Sequence, residues 1–193
     1  MQKKLIFTYE DFKKNINNNS LNQYEKIGFP TKLRKGYEKI IFNSYKNKLA
    51  NLKKKKIKIL EIGPGYSKLS KKIIDLSIKN NNPLFFLDSK EILKNFKIYK
   101  CLKKVEGEFP FVKKFNIEHK NSFDVIICYS VFHYILQKTD YKNAIKKILQ
   151  LLKTGGEIYI GDLPNFSMLK RFLKSKEGEK FHKKIKRNLI INN

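Results

Sequence analysis

The stretch Ile59-Leu60-Glu61-Ile62-Gly63-Pro64-Gly65-Tyr66-Ser67 decides the fold. The apolar run from Ile57 to Ile62 reads as a buried strand, and it leads directly into two glycines one residue apart. Apolar residues at helical spacing follow: Leu69, Ile73, Ile74 and Leu76. A strand, a glycine turn and a helix in that order let the backbone bend sharply and approach a ligand, because glycine has no Cβ. The helix start beyond the turn offers free N–H groups. Glu61 sets a negative charge at the strand end, which suits a cationic or hydroxyl-rich ligand better than a phosphate.

The same stretch argues against two common nucleotide motifs. A dinucleotide fingerprint needs a third glycine where Lys68 stands, and no Gly-Lys-Ser/Thr follows to make a phosphate-binding loop. Further along, Leu84–Leu87 reads as a second strand closed by Asp88, where an acid can accept both hydroxyls of a ribose. The alternative role for Asp88 is a cap for the next helix, expected near Ser89–Phe96.

Strand and helix patterns keep alternating outward from there. Helix Ser67–Lys79 separates the first two strands, and a weaker strand falls within Ile98–Val105. Strand Asp124–Tyr129 precedes helix Tyr141–Leu152, and Thr154-Gly155-Gly156 turns into strand Glu157–Ile160. The alternation predicts a doubly wound α/β protein, a mostly parallel sheet with helices on both faces. Fully apolar runs such as Val125-Ile126-Ile127-Cys128 suit strands buried on both sides. Before the first strand, Tyr9–Ile16 and Lys32–Leu49 read as helices, the latter capped by Thr31. The pattern predicts three parts: a helical lid over 1–52, a core over 53–163 and a basic helical tail over 164–193.

A chain of 193 residues with 41% hydrophobic content suffices for one real core. No apolar run approaches the roughly 20 residues of a membrane span, and the start is too weakly apolar for a secretory signal. A cytoplasmic location is the expectation. Cys101 and Cys128 sit in strand-like runs and read as small buried hydrophobes. The net charge of +26 suggests nucleic acid, yet only Arg34, Arg171 and Arg187 of the 43 basic residues are arginine, the side chain preferred for phosphate and base contacts. Lysines scattered among asparagines read more as a bias of an AT-rich bacterial genome than as a nucleic-acid surface.

Five segments, in order, resemble the class I S-adenosylmethionine-dependent methyltransferases. Glu61-x-Gly63-x-Gly65 is similar to the first motif of that family, and Leu84-Phe85-Phe86-Leu87-Asp88 to its second strand with the ribose-binding acid. Ser122-Phe123-Asp124-Val125-Ile126-Ile127 resembles the fourth strand, and Ser130-Val131-Phe132-His133-Tyr134-Ile135 the active-site segment after it. Residues 151–160 resemble the crossover into the fifth strand. The resemblance implies a Rossmann-like methyltransferase fold with strand order 3-2-1-4-5, and S-adenosylmethionine as cofactor. It assigns the cofactor to Glu61, Gly63, Gly65, Asp88, Glu108 and Ser130, with Glu108 on the adenine. Ser67 replaces a third glycine common in the first motif, and the antiparallel hairpin usual after the fifth strand has little room, so it is expected to be reduced or missing.

For chemistry, His133 is the candidate general base and Asp162 its rival. Tyr24, Arg34, Tyr37 and Tyr9 of the expected lid are candidates for an acceptor pocket, where Arg34 would hold a phosphate or carboxylate. No metal-ligand spacing appears, and the Asn/Asp-Pro-Pro-aromatic signature of amine methylation is replaced by Tyr129-Ser130-Val131-Phe132, which favours an oxygen acceptor. Gly161-Asp162-Leu163-Pro164-Asn165, then Arg171-Phe172, is similar to methyltransferases of bacterial surface-polysaccharide gene sets. A small-molecule acceptor, a sugar, nucleotide-sugar or phosphate-type precursor, is therefore expected ahead of RNA. An RNA methyltransferase and a non-catalytic binding protein with a degraded site stay as alternatives. His119 and His182 receive no role, and the sequence gives no oligomeric state.

Overall fold

The structure, a computed structural model, describes residues 9–27, 35–65, 67–163, 165–176 and 179. Five strands form one sheet in the order β3-β2-β1-β4-β5. They are β1 (Ile59–Ile62), β2 (Leu84–Asp88), β3 (Leu102–Glu106), β4 (Phe123–Tyr129) and β5 (Leu152–Gly161). Every pairing is parallel, with Ile62 opposite Leu87 on one side of β1 and opposite Cys128 on the other. This is the doubly wound, Rossmann-like architecture expected, with the reversal of strand order between β1 and β4.

Side chains alternate across a strand, and here that divides the apolar residues into two cores. Leu60, Ile62, Phe85, Leu87, Ile126 and Cys128 face one way, and helices α5 (Lys113–Glu118), α6 (Phe132–Ile135) and α7 (Tyr141–Leu151) supply Phe115, Phe132, Ala144 and Ile148 against them. Ile59, Leu84, Phe86, Val125 and Ile127 face the other way, onto α2 (Glu38–Lys48), α3 (Lys68–Asn80) and α4 (Lys90–Leu93) through Tyr45, Ile73 and Leu93. Both faces being covered explains why the central strands carry no polar alternation. Ser67, Ser89 and Asp140 cap α3, α4 and α7, each accepting a backbone N–H of the first turn. The first helix, α1 (Tyr9–Ile16), falls where expected and lies against α4.

Three expectations are corrected. The helix predicted from Lys32 starts at Glu38, because Gly36 at φ +92° cannot continue a helix and its N–H donates to the Glu38 carboxylate instead. Thr31 and Leu33 lie outside the described residues. β5 begins at Leu152 rather than Glu157: Phe123 pairs with Leu152 and Val125 with Glu157, so residues 153–156 bulge out of register. The bulge is anchored by the Asn51 amide, which donates to the Gly155 carbonyl, and by the Glu157 carboxylate, which accepts the N–H groups of Ala50 and Asn51. Third, Cys101 is half-buried in the turn before β3, not in a strand; Cys128 is fully buried in β4, and both are free.

The chain divides after Asp162 into two compact units. The second contains α8 (Phe166–Leu173), capped by the Asn165 side chain. Among the described residues no strand follows β5, and no helix is long and apolar enough to cross a membrane.

Leu60 is fully buried at the centre of the sheet. Leu60→Ala should lower the free energy of unfolding by about 2–5 kcal/mol, measured by urea denaturation; a loss below about 1 kcal/mol would contradict the packing described.

Candidate active site

Parallel strands end on a common edge, so the carboxyl ends of β1, β2, β4 and β5 converge. The chain leaves β1 still paired, with the Gly63 N–H donating to the Leu87 carbonyl at 2.9 Å. Gly63 (φ +66°) and Gly65 (φ +61°) both lie in the left-handed region, where a side chain is strained. At Gly63 the need for glycine is also steric: an added Cβ would fall 2.5 Å from a Val131 methyl. The sequence suggested that this space serves a ligand; Val131, from the segment after β4, fills it.

Two acids sit on either side of that turn. Asp88 is 6% exposed, and its Oδ1 accepts the Ser89 N–H at 2.7 Å while Oδ2 accepts the Gly65 N–H at 3.3 Å. The Tyr9 hydroxyl approaches Oδ1 at 3.5 Å, a long hydrogen bond. Burial pushes the Asp88 carboxyl up to about 6, against the pull of those donors. Glu61 is 3% exposed and its Oε2 has no hydrogen-bond partner. Burial, then the charge of Asp88, pushes it up to about 8. Glu61 thus keeps its proton to higher pH than Asp88 does.

A cleft joins Gly63 and Asp88 to the loop after β3 and to α6, lined also by Tyr9, Glu108, Val131 and Tyr134. Glu108 Oε2 pairs with Lys138 Nζ at 2.7 Å. Ser130 and Asp162, the residues after β4 and β5, both adopt left-handed φ (+61° and +58°), and the Ser130 N–H donates to the Gly161 carbonyl at 2.9 Å. Non-glycine residues in that region store strain and cluster at functional edges. His133 lies on α6, half-buried, its ring 4.0 Å from that of Tyr134 and its Nδ1 buried without a partner. Burial holds the imidazole below its ordinary value, with the charge of Asp162 opposing.

The structure therefore brings Glu61, Gly63, Gly65, Asp88, Glu108 and Ser130 to one edge, with His133 and Asp162 nearby. Of the acceptor candidates, Tyr24 and Tyr37 do not line that cleft. Tyr24 is buried with its hydroxyl donating to Glu38 Oε1 at 2.7 Å, Tyr37 is 52% exposed, and Arg34 is outside the described residues. Tyr9, placed in the acceptor pocket by sequence, stands at Asp88 instead. Val131 and Tyr134 lay unremarked within the segment 130–135, and nothing in the sequence pointed to Lys138.

An acid edge of this kind, with one carboxylate oxygen lacking any donor, fits a ligand rich in hydroxyl and ammonium donors and disfavours a phosphate. It is the edge of a nucleoside-binding α/β protein with the ligand at the switch in strand order. The methyltransferase domain family matches residues 60–160, over half of the chain, and the chain belongs to that family. It is an S-adenosylmethionine-dependent methyltransferase, with S-adenosylmethionine as its cofactor. Among solved structures it is similar to a candidate S-adenosyl-L-methionine-dependent methyltransferase from Methanococcus maripaludis, at 21% identity over 95% of this chain and 80% of that one, TM-score 0.52, a likeness of fold alone. More distant are a candidate methyltransferase in complex with the Haloferax volcanii Trm112 methyltransferase activator (23% identity, 65% of this chain and 54% of that one, TM-score 0.47) and a candidate ribosomal RNA methyltransferase from Plasmodium falciparum (16%, 72% and 85%, TM-score 0.46). No curated protein matches the chain.

The raised acids set a pH dependence. Folded Glu61 and Asp88 hold protons up to about pH 8 and 6, whereas in the unfolded chain carboxyls release them near pH 4. Over that window the folded state binds more protons, so stability falls as pH rises. Without ligand, the melting temperature should drop between about pH 5 and 8, and Glu61→Gln should flatten the part above pH 6. A Glu61→Gln profile parallel to that of the parent would show that Glu61 is not the group responsible.

Proposed function

We propose that this methyltransferase transfers a methyl group to a hydroxyl-type oxygen of a small molecule in the cytoplasm, the acceptor being a sugar, nucleotide-sugar or phosphate-type precursor of a bacterial surface polysaccharide. The observation that carries the reaction type is the imidazole of His133: half-buried, held neutral, with an unpartnered Nδ1, just beyond β4. The absent amine-acceptor signature supports oxygen, and the likeness of residues 161–165 supports the polysaccharide class.

In this reading Glu61 meets the cationic end of the cofactor, Asp88 the ribose hydroxyls and Glu108 the adenine, with Gly63, Gly65 and Ser130 supplying backbone close to it. The cofactor contributes an electrophilic methyl on a sulfonium. His133 takes the acceptor's hydroxyl proton at an imidazole nitrogen, with Asp162 stabilising the imidazolium that results. Alignment supplies most of the remaining advantage, up to roughly 7–11 kcal/mol in favourable cases. Residues 1–52 act as a lid, 53–163 as the cofactor-binding core and 164–193 as a basic tail, with Arg34 of the lid toward the acceptor.

Asp88→Ala should weaken S-adenosylhomocysteine binding by about tenfold or more, as expected for losing charge-assisted hydrogen bonds, read by isothermal titration. In methyl transfer to hydroxyl acceptors, His133→Ala should cut the rate by at least about tenfold with that affinity nearly unchanged. An unchanged rate removes His133 from the base role. Salt-sensitive binding and methylation of RNA, with no turnover of sugars, would replace the acceptor proposed here with the reading that the +26 charge supports.

A further inference from the structure

The N-terminal helix reaches the same edge. Tyr9 opens α1 and lines the cleft together with Asp88, Gly63 and Glu108. Its hydroxyl offers Asp88 Oδ1 the kind of donor that a ribose hydroxyl would offer, at 3.5 Å. With the ring in place the cleft has a volume of about 30 Å³, roughly the share of one liquid water and about a tenth of the smallest usual ligand pocket. The acid assigned to the adenine is taken too: Glu108 is paired with Lys138, whose ammonium also lies 5.6 Å from the centre of the Tyr9 ring. Lys13 stands 5.0 Å from that ring, one turn along α1. At the other end of α1, Ile16 is buried, so the helix is held there while Tyr9 covers the cleft. Burial and the neighbouring charges of Asp88 and Glu108 push the Tyr9 phenol well above its ordinary value, so at physiological pH it acts as a donor toward Asp88.

From this geometry we infer that Tyr9 is a tethered competitor of the cofactor: α1 docks the phenol into the ribose seat of Asp88, and the nucleoside enters only when Tyr9 withdraws. The inference rests on the cofactor assignment proposed above. It makes the open form a fraction of the population, so the measured dissociation constant is the intrinsic one divided by that fraction. The N-terminal helix is then a gate that sets affinity as well as a cover.

Titration of S-adenosylhomocysteine into the full chain separates the two ideas. Tyr9→Ala should lower the dissociation constant about three- to tenfold, and Tyr9→Phe, which keeps the ring, by about twofold at most. Asp88→Ala should weaken binding in either background. Equal or weaker binding by Tyr9→Ala, with Asp88→Ala still impaired, overturns the competitor role and leaves the cofactor assignment standing. Asp88→Ala binding as tightly as the parent overturns both. Hydrogen exchange in the unmutated protein is independent of how the variants fold: saturating S-adenosylhomocysteine should speed exchange of the amides of residues 9–16. Slower exchange there would mean that α1 clamps the bound nucleoside, and the inference would fail.

Discussion

Two carboxyl groups have to be housed at the ends of neighbouring strands inside a sheet that is apolar on both faces. Burying a charged carboxylate costs several kcal/mol unless donors compensate, and a second carboxylate beside it raises that cost. The fold meets the problem unequally. Asp88 receives the N–H of its own neighbour Ser89 and that of Gly65, which the glycine-bent chain after β1 brings within reach. Glu61 has an oxygen without any partner. Burial raises both acids, and Glu61, with Asp88 beside it and no donor on that oxygen, is raised further, so it holds its proton to higher pH than Asp88 does. That asymmetry, with the turn that creates it, makes the edge receptive to a ligand carrying donors and positive charge.

Much of this was legible in the sequence, because the legible features were local. A largely apolar strand, two glycines and an amphipathic helix are each read within a dozen residues, and an acid at the end of the second strand needs only the strand to be placed. What failed depended on distance or on one residue's conformation. Gly36 shortens a helix whose apolar spacing is otherwise correct. The register slip between β4 and β5 is set by Asn51 and Glu157, which no periodicity relates. Tyr24 looked available until the fold tied its hydroxyl to Glu38. Gly63 was rightly seen as a place where a Cβ would not fit, but the neighbour that excludes it is Val131.

The lysine excess also acquires a physical role that composition could not supply. Lys58 lies over the rings of Phe85 and Phe123, Lys46 over Phe42 and Lys48 over Tyr159. Such contacts let the long stem cover apolar surface while the ammonium stays wet. On β3, the edge strand, Lys103 and Lys104 are exposed, which discourages pairing with another chain. The ion pairs Lys13–Glu10 and Lys114–Glu118 lie on the surface and are each worth little. Part of the positive charge is thus structural, and a basic chain of this composition need not have been selected to hold nucleic acid.

The distribution of partners also says where a ligand would gain its advantage over the closed arrangement. At Asp88, ribose hydroxyls would replace a phenol, one donor exchanged for another of the same kind. At Glu108, an adenine amine would compete with the Lys138 ammonium, a stronger partner for a carboxylate. Neither exchange favours the nucleoside strongly. Of the three acids, Glu61 is the one with a buried oxygen that no protein donor meets, and its proton affinity is raised by burial and by Asp88. A cationic group brought beside it would ionise the carboxyl and satisfy that oxygen in the same event. Since a ligand shifts an equilibrium only by its differential affinity for the two states, in the proposed reading the preference for the open, loaded form would originate chiefly at Glu61, the one polar side chain of β1.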